Sequence, residues 1–372
     1  MDPSLRLAVE LPPVPADPAT APASLAPWWQ LVLAAARAGA GVVWFTGGPG
    51  QGAGWGAGAG GGEGGGAGAG RGADLACDAC TIAAAAITLQ DAALLGVVSM
   101  LPVDRHPAVL ARDVTTLDVA SDGRAAVLLR WAWSGALGQP SNGAQGEVPG
   151  EPSDACTYLG EAVAVCRSVL GHDVPVFDGE YLHVAGAVNR PPPRRPGGPP
   201  IFVEVPVGAA GLARREVGPG FLLRQASSAA ATFVCPGDPG EIELWRDLAE
   251  ESTVSLGSGD DASREPDIVC RATLPHAWAG AATQSRKAPT RPRSSPGPGS
   301  EPSPGSGSEP SPGSGSLAGL RARLDAARAA GAKGVIIRVP SGRLGGGTLH
   351  LENEDAQVLV AELAECFEPW RR

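Results

Sequence analysis

Lysine is almost missing from this chain of 372 residues. Lys287 and Lys333 are the only two among 29 basic residues, so arginine carries nearly all of the positive charge. A Walker A loop needs Gly-Lys-Ser/Thr to cradle phosphates, but Ala288 and Gly334 follow the two lysines, which excludes it. Acidic residues number 39 and the net charge is −10, a poor match for a phosphate backbone. The basic runs at 190–195 and 286–293 are interleaved with proline and read as solvated loop, so no nucleic-acid partner is expected. Long apolar runs are lacking as well. The longest, near 83–101, is broken by Gln90 and Asp91 and falls short of the roughly 18 residues a membrane span requires. No basic stretch followed by an apolar one opens the sequence, so neither a secretory leader nor a membrane is expected. None of the 5 histidines precedes a glutamate, which excludes the HExxH zinc motif, and no metal site is expected. Cysteine is sparse, odd in number at 7, and scattered, the pattern of reduced thiols in the cytoplasm. Cys77 and Cys80 form a CxxC without a second Cys or His pair, and read as helical spacing on a buried face.

Glycine and proline are abundant instead, at 53 and 36 residues. Much of the excess is local. Residues 47–74 hold 16 Gly in 28 positions, and 286–316 hold 8 Pro and 6 Gly in 31, including the repeat SEPSPGSG at 300–307 and 308–315. Both segments read as low-complexity insertions, the first flexible and the second disordered, within a single domain over 1–372. A GxGxxG at Gly56, Gly58 and Gly61 lies inside the first tract with no helix directly after it, and is dismissed as a dinucleotide site. Outside these tracts, with 43% of the chain hydrophobic, there is enough apolar material for a large core.

Apolar runs of strand length alternate with helical patterns. The expected strands are 5–11, 42–46, 93–101, 125–133, 201–205, 220–224, 267–274 and 335–339, with a hairpin over 176–188. The expected helices cover 24–38, 74–90, 106–119, 154–170, 209–217, 241–251, 317–330 and 355–367. Runs such as ALLGVVSML at 93–101 are apolar on both faces, as in a parallel sheet. Eight strand-helix units predict a (β/α)8 TIM barrel carrying two low-complexity insertions, with a doubly wound open sheet as the runner-up.

Three stretches are familiar in their order. LLGVVSMLPVDRHPAVLARDVTTLDVASDGR carries Arg105-His106-Pro107, then Thr116-Leu117-Asp118, then Ser121-Asp122-Gly123-Arg124. FDGEYLHVAGAVNRPPPRRPGGPPIFVEV carries a Phe-x-Gly-x-Tyr hairpin and a Pro-rich lead-in to a strand, and ARAAGAKGVIIRV resembles a final helix-strand unit. Together they resemble the bacterial luciferase-like monooxygenase family. The resemblance implies a TIM barrel using reduced FMN or a deazaflavin coenzyme of the F-420 type. The activity would be an oxidoreductase or monooxygenase reaction on a small organic substrate, in a chain able to form a homodimer. The alternative is a non-catalytic paralogue of that fold acting as a binding or scaffold protein.

Barrel chemistry sits at the C-terminal ends of the strands. There the sequence offers Glu10, Thr46, Ser99, Trp131, Trp133, Glu204, Arg224, Arg271, His276 and Arg338. His276 and Glu10 are the candidates for acid/base work, and Glu10 reads equally as a buried ion-pair partner. Ser99 falls where the family has a strand bulge against the flavin. Trp131 and Trp133 are candidates to stack on the coenzyme or to plug the barrel, and Arg338 to bind an anionic group or to form an ion pair. Arg130-Trp131-Ala132-Trp133 stands where the family usually has Gly-x-Gly, and Glu204-Val205-Pro206-Val207-Gly208 where it has a Gly-rich turn.

Overall fold

A computed structural model of the chain describes residues 2, 5–14, 25–47, 77–89, 93–101, 105–131, 152–171, 175–205, 219–236, 238–255, 267–274, 316–340 and 353–371. The interiors of the two predicted insertions, Trp133, His276 and the predicted helix 209–217 lie outside them.

Eight parallel strands close into a barrel in the spatial order β1 (Leu7–Glu10), β10 (Gly334–Arg338), β9 (Ile268–Thr273), β8 (Thr232–Pro236), β7 (Ile201–Glu204), β4 (Ala125–Trp131), β3 (Leu94–Leu101) and β2 (Val42–Thr46). The fold is the TIM barrel expected from the strand-helix alternation. Helices α1 (Ala26–Arg37), α2 (Ala79–Ala85), α3 (Pro107–Ala120), α4 (Pro152–Gly171), α5 (Pro219–Ser228), α6 (Pro239–Ser255), α7 (Leu317–Ala329) and α8 (Asn353–Phe367) follow the strands in turn. A small antiparallel hairpin, β5 (Val176–Asp178) with β6 (His183–Ala185), stands apart from the barrel.

The boundaries follow local chemistry. Asp78, His106 and Ser316 cap α2, α3 and α7 by accepting a backbone N–H from Thr81, Ala108 and Gly319. Proline at the first helical position of α3 has no N–H to leave unpaired.

Strand alternation then sorts the apolar residues into two sets. One set packs between the strands and the helices, with Val9, Val43, Leu95, Val97, Val127, Leu129, Val203 and Phe233 among its members. The other fills the bore: Ala8, Val42, Trp44, Leu94, Val98, Ala126, Leu128, Phe202, Val234, Val269 and Ile336. Trp44 lies edge-on to Phe202, with centroids 4.9 Å apart. Gly96 makes room for this, because a Cβ at that position would sit inside the Trp44 ring.

Three expectations are corrected. The run at 220–224 is not a strand but part of α5, where Leu222, Leu223, Ala226 and Ser227 bury one face at helical spacing. The sixth barrel strand is Thr232–Pro236, which the sequence reading passed over. The helix expected over 74–90 is a shorter α2, opened by the Asp78 cap.

The motifs that made the sequence familiar serve as ties of this scaffold. Asp118 accepts from the backbone N–H groups of Arg194 (2.7 Å) and Arg195 (3.0 Å), anchoring the Pro-rich lead-in to β7. Arg105 bridges Asp78 and Asp113, joining the start of α2 to α3. Arg124 donates to the carbonyl of Ile87 at 2.9 Å. Buried Glu161 on α4 accepts three backbone N–H bonds from the hairpin turn, from Glu180 (2.6 Å), Tyr181 (2.9 Å) and Leu182 (2.8 Å). Gly179 in that turn leaves the space the Glu161 carboxylate occupies.

Candidate active site

Each of several apolar strands ends on one charged or hydroxylic residue that faces the bore. Glu10 closes β1, Thr46 closes β2 and Glu204 closes β7. Arg130 lies one residue from the end of β4, Arg271 lies in β9, and Arg338 closes β10. Parallel register puts Glu10 level with Arg338 on one side and Trp44 on the other. The six side chains therefore converge just above the apolar filling, at the C-terminal mouth of the barrel.

Arg130 is the centre of this layer. Its Nη1 and Nη2 donate to Glu10 Oε1 (2.9 Å) and Oε2 (2.8 Å), a two-pronged charge-assisted pair. Its Nε donates to Glu204 Oε2 at 2.7 Å. Arg271 Nη1 reaches the same oxygen at 2.9 Å and Glu10 Oε2 at 3.7 Å. Arg338 Nε stands 3.6 Å from Glu10 Oε1, to which the Thr46 hydroxyl also donates at 3.3 Å.

Burying these charges is costly unless each is paired and hydrogen-bonded, and the geometry meets that condition. Glu10 is fully buried, which by itself pushes its pKa up. The Arg130 charge and hydrogen bonds, then Arg271 and Arg338, overcome this and hold it at about 2. For Arg130, burial works against the charged form, but Glu10 and Glu204 raise its pKa above the usual range. Burial pulls Arg271 down, Glu204 opposes this, and neighbouring Arg130 adds to the fall. Glu10 and Arg130 are thus fixed as charges at neutral pH. Glu10 is an ion-pair partner, and a carboxylate held ionised at about 2 cannot donate a proton near neutrality.

Three guanidiniums against two carboxylates leave one net positive charge. The surplus faces outward, since the Arg338 side chain is 42% exposed and that of Arg271 19%, whereas Arg130 is 7% exposed. The layer is a rigid floor that presents N–H donors and positive charge to whatever enters the mouth. Such a donor set fits an anionic or acceptor-rich group, as in a flavin or deazaflavin.

The other candidates fall elsewhere. The β3–β4 ladder runs without interruption through Ser99↔Leu129 to Leu101↔Trp131, so no bulge forms at Ser99. Ser99 faces the helices with Val97 and Leu101, buried, its hydroxyl without a hydrogen-bond partner among the described residues. Trp131 alternates outward too. It packs on the outer core and tilts against Tyr158 at 5.6 Å, which in turn meets Tyr181 at 6.0 Å. The side chain that enters the bore from this stretch is Arg130, not Trp131. Arg224 lies exposed on α5 and not on a strand, its guanidinium 6.0 Å from the Phe221 ring centroid. Sequence reasoning missed Arg130, although a signal was there: a lone charge inside the apolar run AAVLLRW demands a buried partner, and Glu10 at the end of LAVE demands one as well.

Comparisons with known proteins agree with this architecture. Residues 7–218 match the model of a family described as luciferase-like monooxygenase. An F420-dependent glucose-6-phosphate dehydrogenase of Gordonia bronchialis is 32% identical over 147 residues, which span 39% of this chain and only 38% of the relative's length. Among solved structures, the monooxygenase RslO1 of Streptomyces bottropensis superposes with a TM-score of 0.59 at 16% identity, covering 98% of this chain and 99% of that one. The coenzyme F420-dependent tetrahydromethanopterin reductase of Methanopyrus kandleri does so at 0.56 and 13%, covering 98% and 99%. An F420-dependent secondary alcohol dehydrogenase, in complex with an F420-acetone adduct, reaches 0.56 at 12% identity, covering 99% of each chain. At these identities the structural likeness speaks for the fold alone.

Proposed function

The chain belongs to the luciferase-like monooxygenase family, and from that premise we propose that it is an oxidoreductase that binds reduced FMN or an F420-type deazaflavin at the barrel mouth and acts on a small organic substrate. The observation that carries this reading is the charged floor. Six side chains from six strands meet there, and the net charge of that layer is positive toward solvent.

The bound coenzyme would supply the hydride or oxygen chemistry, which side chains fixed in one protonation state do not. Arg338 and Arg271 would hold its anionic or carbonyl groups. Glu10 and Glu204 keep the two arginines oriented, and Arg130 holds both carboxylates in register. The packed bore beneath, around Trp44 and Phe202, closes the floor from below.

A spectral titration with FMN and with F420, oxidised and reduced, tests the reading. Saturable binding of one of them is expected. Arg338→Ala should weaken it about tenfold, the equivalent of one charge-assisted hydrogen bond of about 1.4 kcal/mol. Absence of binding by either coenzyme up to about 1 mM, where only about 4 kcal/mol of affinity would remain, refutes the proposal. The stretch Arg130-Trp131-Ala132-Trp133 stands where the family resemblance expects Gly-x-Gly, with a buried guanidinium and two indoles in place of small residues, and this supports the second reading, a non-catalytic binding protein. Coenzyme-dependent oxidation of any donor by the purified chain sinks that alternative.

A further inference from the structure

The CxxC pair did not find a place in the function above, and its surroundings differ from those expected. Cys77 and Cys80 do not lie on one buried helical face. Cys77 precedes the Asp78 cap, Cys80 falls in the first turn of α2, and both are half-buried. The remaining five thiols, Cys156, Cys166, Cys235, Cys270 and Cys366, are buried. Burial pushes the first four up, Cys156, Cys166 and Cys270 to about 12, so they are poor nucleophiles.

The pair also sits at a particular place. The Cys77 N–H donates to the carbonyl of Val14, beyond the end of β1, at 2.8 Å. The Cys77 carbonyl lies 3.7 Å from the Cβ position of Gly47, which directly follows β2. Both neighbours leave the C-terminal ends of their strands, so the Cys77 backbone lies on the rim of the barrel mouth, with the Cys77 and Cys80 side chains half-buried against the outer core beside it. Thr46, adjacent to Gly47, donates to Glu10 in the charged floor. The Arg105 guanidinium is close enough to feel a charge on Cys80, and shares itself with Asp78 and Asp113.

We propose that Cys77 and Cys80 form a redox-active dithiol on the rim of the candidate active site, oxidised to an intramolecular disulfide by a low-molecular-weight disulfide. The CxxC spacing is that of thiol–disulfide exchange sites, and it can bring the Cα atoms within the roughly 4.4–6.8 Å that a disulfide spans. One thiolate attacks the small disulfide, forming a mixed disulfide and releasing one small thiol. The second thiolate then attacks the mixed disulfide on the protein sulfur, releasing the second small thiol. The two protein thiols lose two electrons and two protons, and the small disulfide gains them.

The full chain tests this without reference to activity. It is incubated with glutathione disulfide, the accessible thiols are blocked with iodoacetamide, and the protein is digested with trypsin and weighed. The peptide from Gly72 to Arg105 carries Cys77 and Cys80 and no other cysteine. It is expected two hydrogens lighter than the dithiol, unalkylated, and restored by dithiothreitol. In Cys77→Ser and Cys80→Ser the remaining thiol should instead retain one glutathione. A wild-type peptide that carries two alkyl groups, carries two glutathiones, or is linked to another cysteine overturns the proposal.

Discussion

Replacing Arg130 with methionine probes the layer on which the functional reading rests. The substitution keeps most of the side-chain volume and removes the charge, leaving Glu10 with no exposure and no two-pronged partner. Removing one member of a buried ion pair typically costs about 3–5 kcal/mol, because the other charge stays behind without compensation. The pKa gives a second route to the size of the effect. Glu10 lies at about 2 in the fold against 4.5 ordinarily, and at 1.36 kcal/mol per unit that depression contributes about 3 kcal/mol. Because the folded value is the lower one, this contribution is complete above pH 4.5 and is lost as pH falls toward 2. In Arg130→Met the burial of Glu10 is opposed, among the described residues, by Arg271 at 3.7 Å, Arg338 at 3.6 Å and the Thr46 hydroxyl at 3.3 Å, so its pKa rises. The fold is then weakened at neutral pH, and its gap to wild type narrows on acidification as wild type loses the contribution that the variant lacks. At about 2 °C per kcal/mol for a domain of this size, the melting temperature at pH 7 should fall by roughly 6–10 °C. Adding Glu10→Gln to Arg130→Met removes the stranded charge and should recover more than half of the loss. Urea or thermal unfolding followed by tryptophan fluorescence reads all three variants. A loss under about 1 kcal/mol for Arg130→Met, or a double variant no more stable than the single one, would refute the reasoning.

Gly96→Ala should destabilise by about 1–3 kcal/mol through overpacking, since its Cβ would enter the Trp44 ring, and a melting temperature equal to wild type would contradict the packing of the bore. Glu161→Ala strands three backbone N–H groups of the hairpin turn at a cost of about 2 kcal/mol or more. Hydrogen exchange at Glu180, Tyr181 and Leu182 should quicken about thirtyfold, while the barrel amides stay protected. Lowering pH from 5 to 3 should weaken wild type, because the unfolded chain takes up a proton that folded Glu10 does not, and Glu10→Gln should flatten part of that slope in an unfolding series.

Much of the barrel was legible because periodicity is a local property. Runs apolar on both faces, such as those around Val97 and Leu128, have no stable place except a sheet covered on both sides. The error at 220–224 came from the same rule. Phe221, Leu222 and Leu223 are three apolar residues in a row, and a run that short does not distinguish a strand from a helix. Pro219 at the start and Ala226 and Ser227 further on were the helical signals. Thr232–Pro236 was passed over because the true strand followed the false one so closely.

The site was legible in a different measure. Glu10, Glu204 and Arg338 stood out as charges ending apolar strands and Arg271 as one near such an end, whereas Arg130 was overshadowed by the tryptophan beside it. The motifs that signalled the family, Asp118 with its Thr-Leu step and the FDGEY turn, turned out to hold loops and hairpin in place.

By itself the sequence determined the alternation of strands and helices, the apolar bore and the two low-complexity tracts, all of which depend on near neighbours in the chain. Only the tertiary structure decided that Arg130 lies against Glu10, 120 positions away, and Glu204, 74 positions away. A closed barrel fixes which residue of each strand faces inward, and one step of register exchanges Arg130 for Trp131. That parity set the chemistry of the mouth, placing a guanidinium where an indole had been expected.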